Sequence, residues 1–483
     1  MLAKIWWQRY RWTLLCIALA LMSASAIGLL ATAIAGRPAP IGSRSSFYTS
    51  LFFAIIGAAV LLLLLLVRGR QVGLPALMGA LAFLPSRTGM QWKYTGFVTV
   101  SVTDLVVVLG TLFLVLYTKV LRPERLRTVA VRVPLWVWVF VAPLGLLIAG
   151  ARGVPWTNYV PELKGFYLWI LIVVLCVNVL HTAQSIRLVM AVLVLSAIPN
   201  VVFQLKDVLT GATTSGSAAQ ALLANGDLIV RTSGGAGLIN QYAFSVMVVF
   251  FLSLALAMTA LHWITRFLYY GCAIFFVIGI GLTYTRGAWI ATAAGLLVVA
   301  ALGEWRVRAR LATGAAIGYF LIPSFVWQRL NFSDNSVAER VAYLHTATAT
   351  VQAYPLLGGG WGSNFELIGD VLVPLFRRND LPFWHNDYLI VATQVGLPGL
   401  AVFLWIWASL IVTGVRAHHR APSGPLRTYL LLLIAAVVAM FTQAFTDMFY
   451  WRNETGPLIW LVVGLICATL NLIPKEVYRS IPT

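Results

Sequence analysis

The stretch "FLYYGCAIFFVIGIGLTYTRGAWIATAAGLLVVAALG", Phe267 to Gly303, holds two apolar runs, 267–284 and 287–303, with almost no loop between them. Arg286 is its one charged residue. Each run is close to the roughly 20 residues that a helix needs to cross a bilayer core. Backbone groups in lipid must be satisfied within the segment, so the two runs predict consecutive membrane helices rather than an open sheet. Working outward, similar runs occupy 12–34, 47–67, 73–85, 97–118, 133–149, 166–182, 187–205, 238–260, 309–326, 396–415, 427–446 and 456–472. The 73–85 run is short and also suits a re-entrant segment. Alternating segments of about ten residues, the mark of a membrane barrel, are absent. The expected fold class is an all-α polytopic membrane protein of about 12–14 transmembrane helices.

Composition agrees. Sixty per cent of the residues are hydrophobic and 10% are charged, against about 25% charged in a soluble domain. A net charge of +19 does not point to nucleic acid here, because most of the cations flank apolar runs. Cys16, Cys176, Cys272 and Cys467 each lie inside an apolar segment. They read as small buried side chains, with no disulfide or thiolate metal site. The first run follows Lys4, Arg9 and Arg11 and exceeds a signal-peptide core of about 7–15 residues, which predicts a retained helix.

Orientation follows from the basic residues. With the N-terminus cytoplasmic, the inner segments hold twenty cations against Glu124, Glu304 and Glu476. The outer side holds fourteen cations and eleven acids, and Asp104 falls within a span. Both termini come out cytoplasmic. The long outer segments are 206–237 and 327–395; shorter ones carry Arg152, Lys164, Arg286, Asp447, Arg452 and Glu454. Outer arginines either bridge to nearby acids and lipid phosphates or bind an anionic ligand, which their planar fork suits. No internal repeat is visible, and "TGATTSGSAAQ" at 210–220 reads as a flexible outer loop.

Within 327–395, "SVAERVAYLHTATATVQAYP" (336–355) predicts an amphipathic helix. Ser336 and Glu339 form a capping box. Val337, Val341, Leu344 and Val351 share one face with Thr348, and that face lies on the bundle or at the lipid surface. Arg340 sits off the stripe, beside Glu339. "PLLGGGWGSNF" (355–365) has three consecutive glycines that let backbone approach something closely. It is not a P-loop, since no Gly-Lys-Ser/Thr follows.

"RRNDLPFWHNDYLIVATQVGLPGL" (377–400) comes next. Asn386 or Asp387 caps a short surface helix running to about Val395, before Gly396, Pro398 and Gly399 break it. His385 then sits at a helix start, where the positive helix end disfavours imidazolium. A neutral imidazole can act as a general base, although a histidine there is also a common structural residue. Arg286, at the outer membrane boundary, either snorkels to headgroups or points into the bundle beside Gly287.

Taken in order, "TYTRG", "AERVAYLHTAT…YPLLGGGWGSNF" and "HNDYLIVATQVGLPGL" resemble the O-antigen ligase/O-antigen polymerase superfamily of bacterial inner membranes. "GGAGLINQYA" (234–243) is similar to a further motif of that family, and the resemblance runs from about Arg231 to Leu400. It implies a metal-independent, inverting glycosyltransferase without a cofactor, acting at the periplasmic face. Its donor would be a glycan on undecaprenyl diphosphate. Its acceptor in the ligase members would be a sugar hydroxyl of lipid A–core oligosaccharide. The family's functional positions map to Arg286, Arg340 and His385, and Asp447 in "FTDMFYW" is a counterpart of a late aspartate that matters in some ligases. Here threonines stand where many relatives have serines before the arginine, which keeps the hydroxyl.

On this basis His385 is the expected base, and Arg286 and Arg340 hold the diphosphate. Arg231 and Arg152 are further candidates for the same anion or for core phosphates. Asp447 orients the histidine, and Asn386 helps set the imidazole or touches substrate. Expected domains are 1–326, transmembrane with a periplasmic loop at about 206–237; 327–395, a helical periplasmic loop domain; and 396–483, C-terminal transmembrane helices. The partners expected are the lipid-linked glycan, lipid A–core and membrane lipids. A polymerase or a pilin-glycosylating relative would share these motifs. A lipid-linked glycan transporter would instead need inverted repeats and midplane ionisable residues.

Overall fold

The computed structural model describes residues 91–94, 98–101, 107–108, 110–111, 114, 127–154, 156–210, 219–222, 228–233, 238–321, 335–363, 384–450, 452 and 455–473. Their helices are α1 (Arg132–Val141), α2 (Leu144–Ala151), α3 (Trp156–Val179), α4 (Ala183–Thr210), α5 (Ile239–Thr259), α6 (Trp263–Leu282), α7 (Arg286–Leu302), α8 (Trp305–Leu321), α9 (Asn335–Ala353), α10 (Asp387–Arg420), α11 (Pro425–Gln443) and α12 (Gly456–Leu472). Among the described residues, six segments are long and apolar enough to cross a membrane: 132–151, 183–210, 239–259, 263–282, 387–420 and 425–443. Shorter apolar helices cover Tyr167–Val179, Arg286–Leu302 and Gly456–Leu472. The chain is an α-helical polytopic membrane protein. The expected spans at 12–34, 47–67 and 73–85, and with them Cys16, lie outside the described residues, as does Asp104.

The predicted runs become helices where the residues are described. The run at 133–149 is one apolar segment split into α1 and α2 at Pro143, which has no N–H to continue the ladder. The run at 309–326 corresponds to α8, which starts earlier, at Trp305, and carries Arg306, Arg308 and Arg310 in its first turns. Two places depart from helix. Val98–Ser101, expected to open the span at 97–118, is a strand (β2) paired antiparallel with Gln91–Tyr94 (β1). The outer loop at 206–237 contains a second hairpin, Ala219–Leu222 (β3) with Leu228–Arg231 (β4), in the register Ala219↔Arg231. The end of "TGATTSGSAAQ" is therefore strand, and the hairpin terminates on Arg231.

The core is built around α5, whose apolar window is 83% buried, and it packs on α4, α6 and α11. Helices α7 and α11 pack together, as do α3 and α12. Cys176 and Cys467 are buried and Cys272 is half-buried, and all three are free. Large apolar side chains of α1 (Trp136, Phe140) and α6 (Phe267, Leu268, Ile274) point outward, as a membrane-embedded surface requires.

Helix α10 is broken at Gly396, whose φ of 82° is non-helical. The predicted break is thus present, but the preceding segment is no surface helix. Ile390 through Val395 are buried, and α10 packs against α1, α9 and α11. Pro398 cannot donate to the Gln394 carbonyl, and the kink turns the Leu397 amide to Pro355 O at 2.8 Å. The glycine run replaces both lost donors: Gly359 N–H donates to Thr393 O at 2.6 Å and Gly360 N–H to Gln394 O at 3.0 Å. A Cβ on Gly358 would lie 2.5 Å from the Gln394 carbonyl carbon, and one on Gly360 would lie 2.5 Å from Ala149 N. The close approach predicted for these glycines is to protein backbone. Trp361 then ties the loop to the α1–α2 junction, through its indole N–H to Ala142 O at 2.6 Å and its backbone N–H to Gly145 O at 3.0 Å.

Candidate functional site

The start of α10 meets the 444–449 turn and Tyr343 of α9, with Asn240, Arg231 and the 283–287 turn behind Asp447. Asn386 is the N-cap of α10: the side-chain oxygen accepts from Tyr388 N at 2.9 Å and Leu389 N at 3.1 Å. Its amide donates to Phe445 O at 3.2 Å. Asp387, the other capping candidate, is fully buried and works elsewhere. Its backbone N–H donates to Ala444 O and its Oδ2 accepts from Phe449 N at 2.9 Å. These two residues clamp both ends of the 444–449 turn, which carries Asp447.

His385 directly precedes the cap, with a left-handed φ of 45°. Among the described residues the other non-glycine with positive φ is Tyr284, at 52°, in the arginine motif. Strained backbone of this kind concentrates at functional sites, and both cases here flank one site. His385 Nδ1 lies 3.0 Å from Asp447 Oδ1, and its side chain remains 40% exposed. Tyr343 of α9 stacks obliquely on the imidazole, with ring centroids 5.8 Å apart.

Asp447 is buried and both its oxygens are engaged. Oδ1 also accepts from Met448 N at 2.8 Å, and Oδ2 accepts from Asn240 Nδ2 at 2.6 Å. Burial alone would raise its pKa. The hydrogen bond and charge of His385, then Asn240 and the Met448 amide, outweigh that and hold it below the usual carboxylate value. When the imidazole is neutral, an ionised Asp447 accepts a hydrogen bond from its Nδ1–H, and the free lone pair is then on Nε2.

Behind Asp447, Asn240 Oδ1 accepts from Arg231 Nη2 at 3.3 Å and Thr285 Oγ at 3.2 Å. Arg231 Nε donates to Thr283 O at 2.9 Å, and Nη2 also reaches Thr285 Oγ at 3.3 Å. Arg231 is therefore bonded into the "TYTRG" turn. Arg286 opens α7 and is buried, at 7% exposure. The next residue, Gly287, lies directly against Thr446: an added Cβ would overlap the threonine side chain. This contact sets the start of α7 against the Asp447 turn. Gly287→Ala is expected to push the two apart, at about 1–3 kcal/mol of stability. A lowered melting temperature in detergent, recovered in Gly287→Ala/Thr446→Gly, would support the contact; an unmoved one would sink it.

Arg340 lies one turn before Tyr343 on α9, and residues three apart share a helix face. Arg340 therefore stands between the face that Tyr343 buries and the exposed Leu344, and is itself half-buried. The packed face of α9 is Tyr343, Thr346, Ala347 and Thr350, whereas Val341 and Leu344 are 47% and 49% exposed. Of the two locations open for the apolar stripe, it takes the one away from the bundle. The capping box Ser336–Glu339 falls on side chains outside the described residues. Arg152 sits apart, with the glycine loop: its guanidinium stacks 3.8 Å over the Tyr354 ring and donates to Gly359 O at 3.3 Å. Among the described residues no group of three His, Cys, Asp or Glu forms a candidate metal site.

Residues 271–404 match the family model described as O-Antigen ligase. Over these residues the chain is similar to the O-antigen ligase family. No curated protein matches it. The matched domain contains Arg286, Arg340 and His385. Asp447, Asn240 and Arg231, which complete the hydrogen-bonded cluster, lie outside the O-antigen ligase match. Sequence reasoning assigned no role to Asn240, although it noted the motif around it. It also missed Tyr343 and the clamp formed by Asp387. The only sequence signal for Asn240 was its place in "GGAGLINQYA".

Proposed function

We propose that the chain is an O-antigen ligase of the bacterial inner membrane. It transfers a glycan from undecaprenyl diphosphate to a sugar hydroxyl of lipid A–core oligosaccharide at the periplasmic face, completing lipopolysaccharide. The observation that carries the reading is the His385–Asp447 pair, a half-exposed imidazole fixed through Nδ1 by an ionised carboxylate, beside the arginine motif. In the reaction, His385 Nε2 takes the proton of the acceptor hydroxyl. That oxygen attacks the anomeric carbon from the face opposite the leaving group. The bond from the anomeric carbon to the phosphate oxygen breaks, and its electron pair leaves with the diphosphate, which inverts the configuration. Arg286 and Arg340 stabilise the charge that develops on the diphosphate, where fixed cations in a water-poor site act strongly. Asp447 stabilises the imidazolium and Asn386 holds the helix start. Arg152, with its guanidinium stacked on Tyr354, remains a candidate for core phosphates. The reaction uses no metal and no cofactor. Both termini are cytoplasmic, and 327–395 is the periplasmic loop domain between transmembrane parts 1–326 and 396–483.

Deleting the gene tests the assignment. The expected result is free lipid A–core together with long glycan accumulated on undecaprenyl diphosphate. Core capped with a single repeat would mean a polymerase and overturn the ligase reading.

A further inference from the structure

We infer that Asn240 is a positioning residue for the base: its side-chain amide fixes the Asp447 carboxylate and ties the His385–Asp447 pair to the arginine motif. The inference rests on the proposed glycosyl transfer with His385 as base.

Asn240 is in the second position of α5, a buried core helix that provides a rigid platform. Its two polar atoms have different tasks. Nδ2 donates to Asp447 Oδ2 at 2.6 Å, while Oδ1 accepts from Arg231 Nη2 and Thr285 Oγ. Thr285 is the N-cap of α7, which Arg286 begins. An unbroken chain therefore runs from the helix bearing Arg286 through Thr285, Asn240 and Asp447 to His385. The amide cannot be flipped without loss. Flipping would set its oxygen against the carboxylate and its NH₂ against a guanidinium, so the arginine and the carboxylate between them fix its orientation. With Oδ2 held by Asn240 and Oδ1 shared by His385 and Met448 N, the carboxylate has no rotational freedom left. Loss of the Asn240 donor would leave Asp447 Oδ2 buried without it and let the carboxylate turn away from the imidazole.

Among the described residues, other charged or titratable groups stand near the pair. Asp387 of α10 lies close enough to Asp447 and Arg452 to feel both. Tyr343 of α9 faces the imidazole, and Arg231 stands behind Asn240.

The isosteric change Asn240→Asp isolates the donor. It keeps the oxygen that Arg231 and Thr285 use, and replaces the NH₂ by a second carboxylate oxygen against Asp447. Two carboxylates so close share a proton at low pH and lose it as pH rises. While shared, that proton restores the donor; once lost, the two oxygens repel. The experiment measures kcat and KM for transfer from lipid-linked glycan to purified lipid A–core in detergent between pH 6 and 8.5, for wild type, Asn240→Asp and Asn240→Ala. At neutral pH, kcat is expected to fall roughly tenfold to a hundredfold in both variants, the range seen for residues that orient a reactive group, with KM for the donor little changed. The ratio of Asn240→Asp to wild-type kcat should rise as pH falls. The Asn240→Ala ratio should stay flat, because alanine carries no proton to restore. A flat ratio for Asn240→Asp, whether near wild type or near the alanine variant, overturns the inference. His385→Ala in the same assay separates the two levels. If it is inactive while Asn240→Asp is flat, only the positioning role fails. If it transfers at the wild-type rate, the base assignment itself fails.

Discussion

Replacing His385 with alanine is expected to cut glycan transfer by about 10²–10⁴-fold, the usual contribution of a general base, with membrane abundance normal. Three observations support so large an effect. The imidazole is half-exposed, so one edge is open to an acceptor. Its Nδ1 is fixed at 3.0 Å from a carboxylate held ionised by its neighbours. Its backbone is held in the left-handed region, φ 45°, by the buried Trp384 on one side and the Asn386 cap on the other. The backbone also dictates the control. Alanine is strained at positive φ, whereas asparagine tolerates it. His385→Asn can still donate to Asp447 but cannot accept a proton near neutral pH. Both variants should be inactive, and the asparagine variant should melt closer to wild type. Transfer near the wild-type rate in His385→Asn would sink the base assignment, whatever the alanine variant does.

Local features of this site were readable from residue order; its long-range features were not. The break at Gly396 and the cap at Asn386 depend on neighbours within a few residues, so glycine, proline and asparagine chemistry announces them. The Asn240–Asp447 bond joins residues 207 positions apart, and nothing near either residue encodes the other. The glycine run 358–360 showed that backbone comes close to something. Only the fold reveals that it replaces the donors that Pro398 and the kink remove from Thr393 and Gln394. The stripe of α9 shows a third case. Periodicity finds the apolar face of a helix, but in a membrane protein lipid competes with the bundle for that face. Here the bundle takes Tyr343, Thr346, Ala347 and Thr350, leaving Val341 and Leu344 outward. Strands are the last such case. Val98–Ser101 and Leu228–Arg231 are apolar enough to pass for the ends of spans or loops, and pairing with a partner strand decides them.

Arg286→Lys is expected to lower kcat/KM on the order of 10²–10³-fold, the scale on which loss of one oxyanion-stabilising donor acts, although the charge is kept. Arg286 is the first residue of α7, at the end of a helix where the backbone dipole is positive and a cation is disfavoured. It is also buried, at 7% exposure, which further disfavours a charge. In the proposed reaction this cation faces the donor diphosphate, which carries two negative charges. Snorkelling to headgroups, the simpler account of an arginine at a membrane boundary, needs an exposed guanidinium, and the burial argues against it. The arginine fork can hold two oxygens of the leaving group at once, and lysine reduces this to a point charge on a more flexible stem. The loss should fall mainly in kcat, because the charge on the leaving oxygen grows as the glycosidic bond breaks. Gly287 against Thr446 and the Thr285–Asn240 hydrogen bond also set the start of α7, and a melting temperature measured beside the kinetics separates a lost contact to the leaving group from a loosened fold. Full activity in Arg286→Lys would remove the leaving-group role, and a loss confined to donor KM would make Arg286 a ground-state binder of the lipid-linked substrate instead.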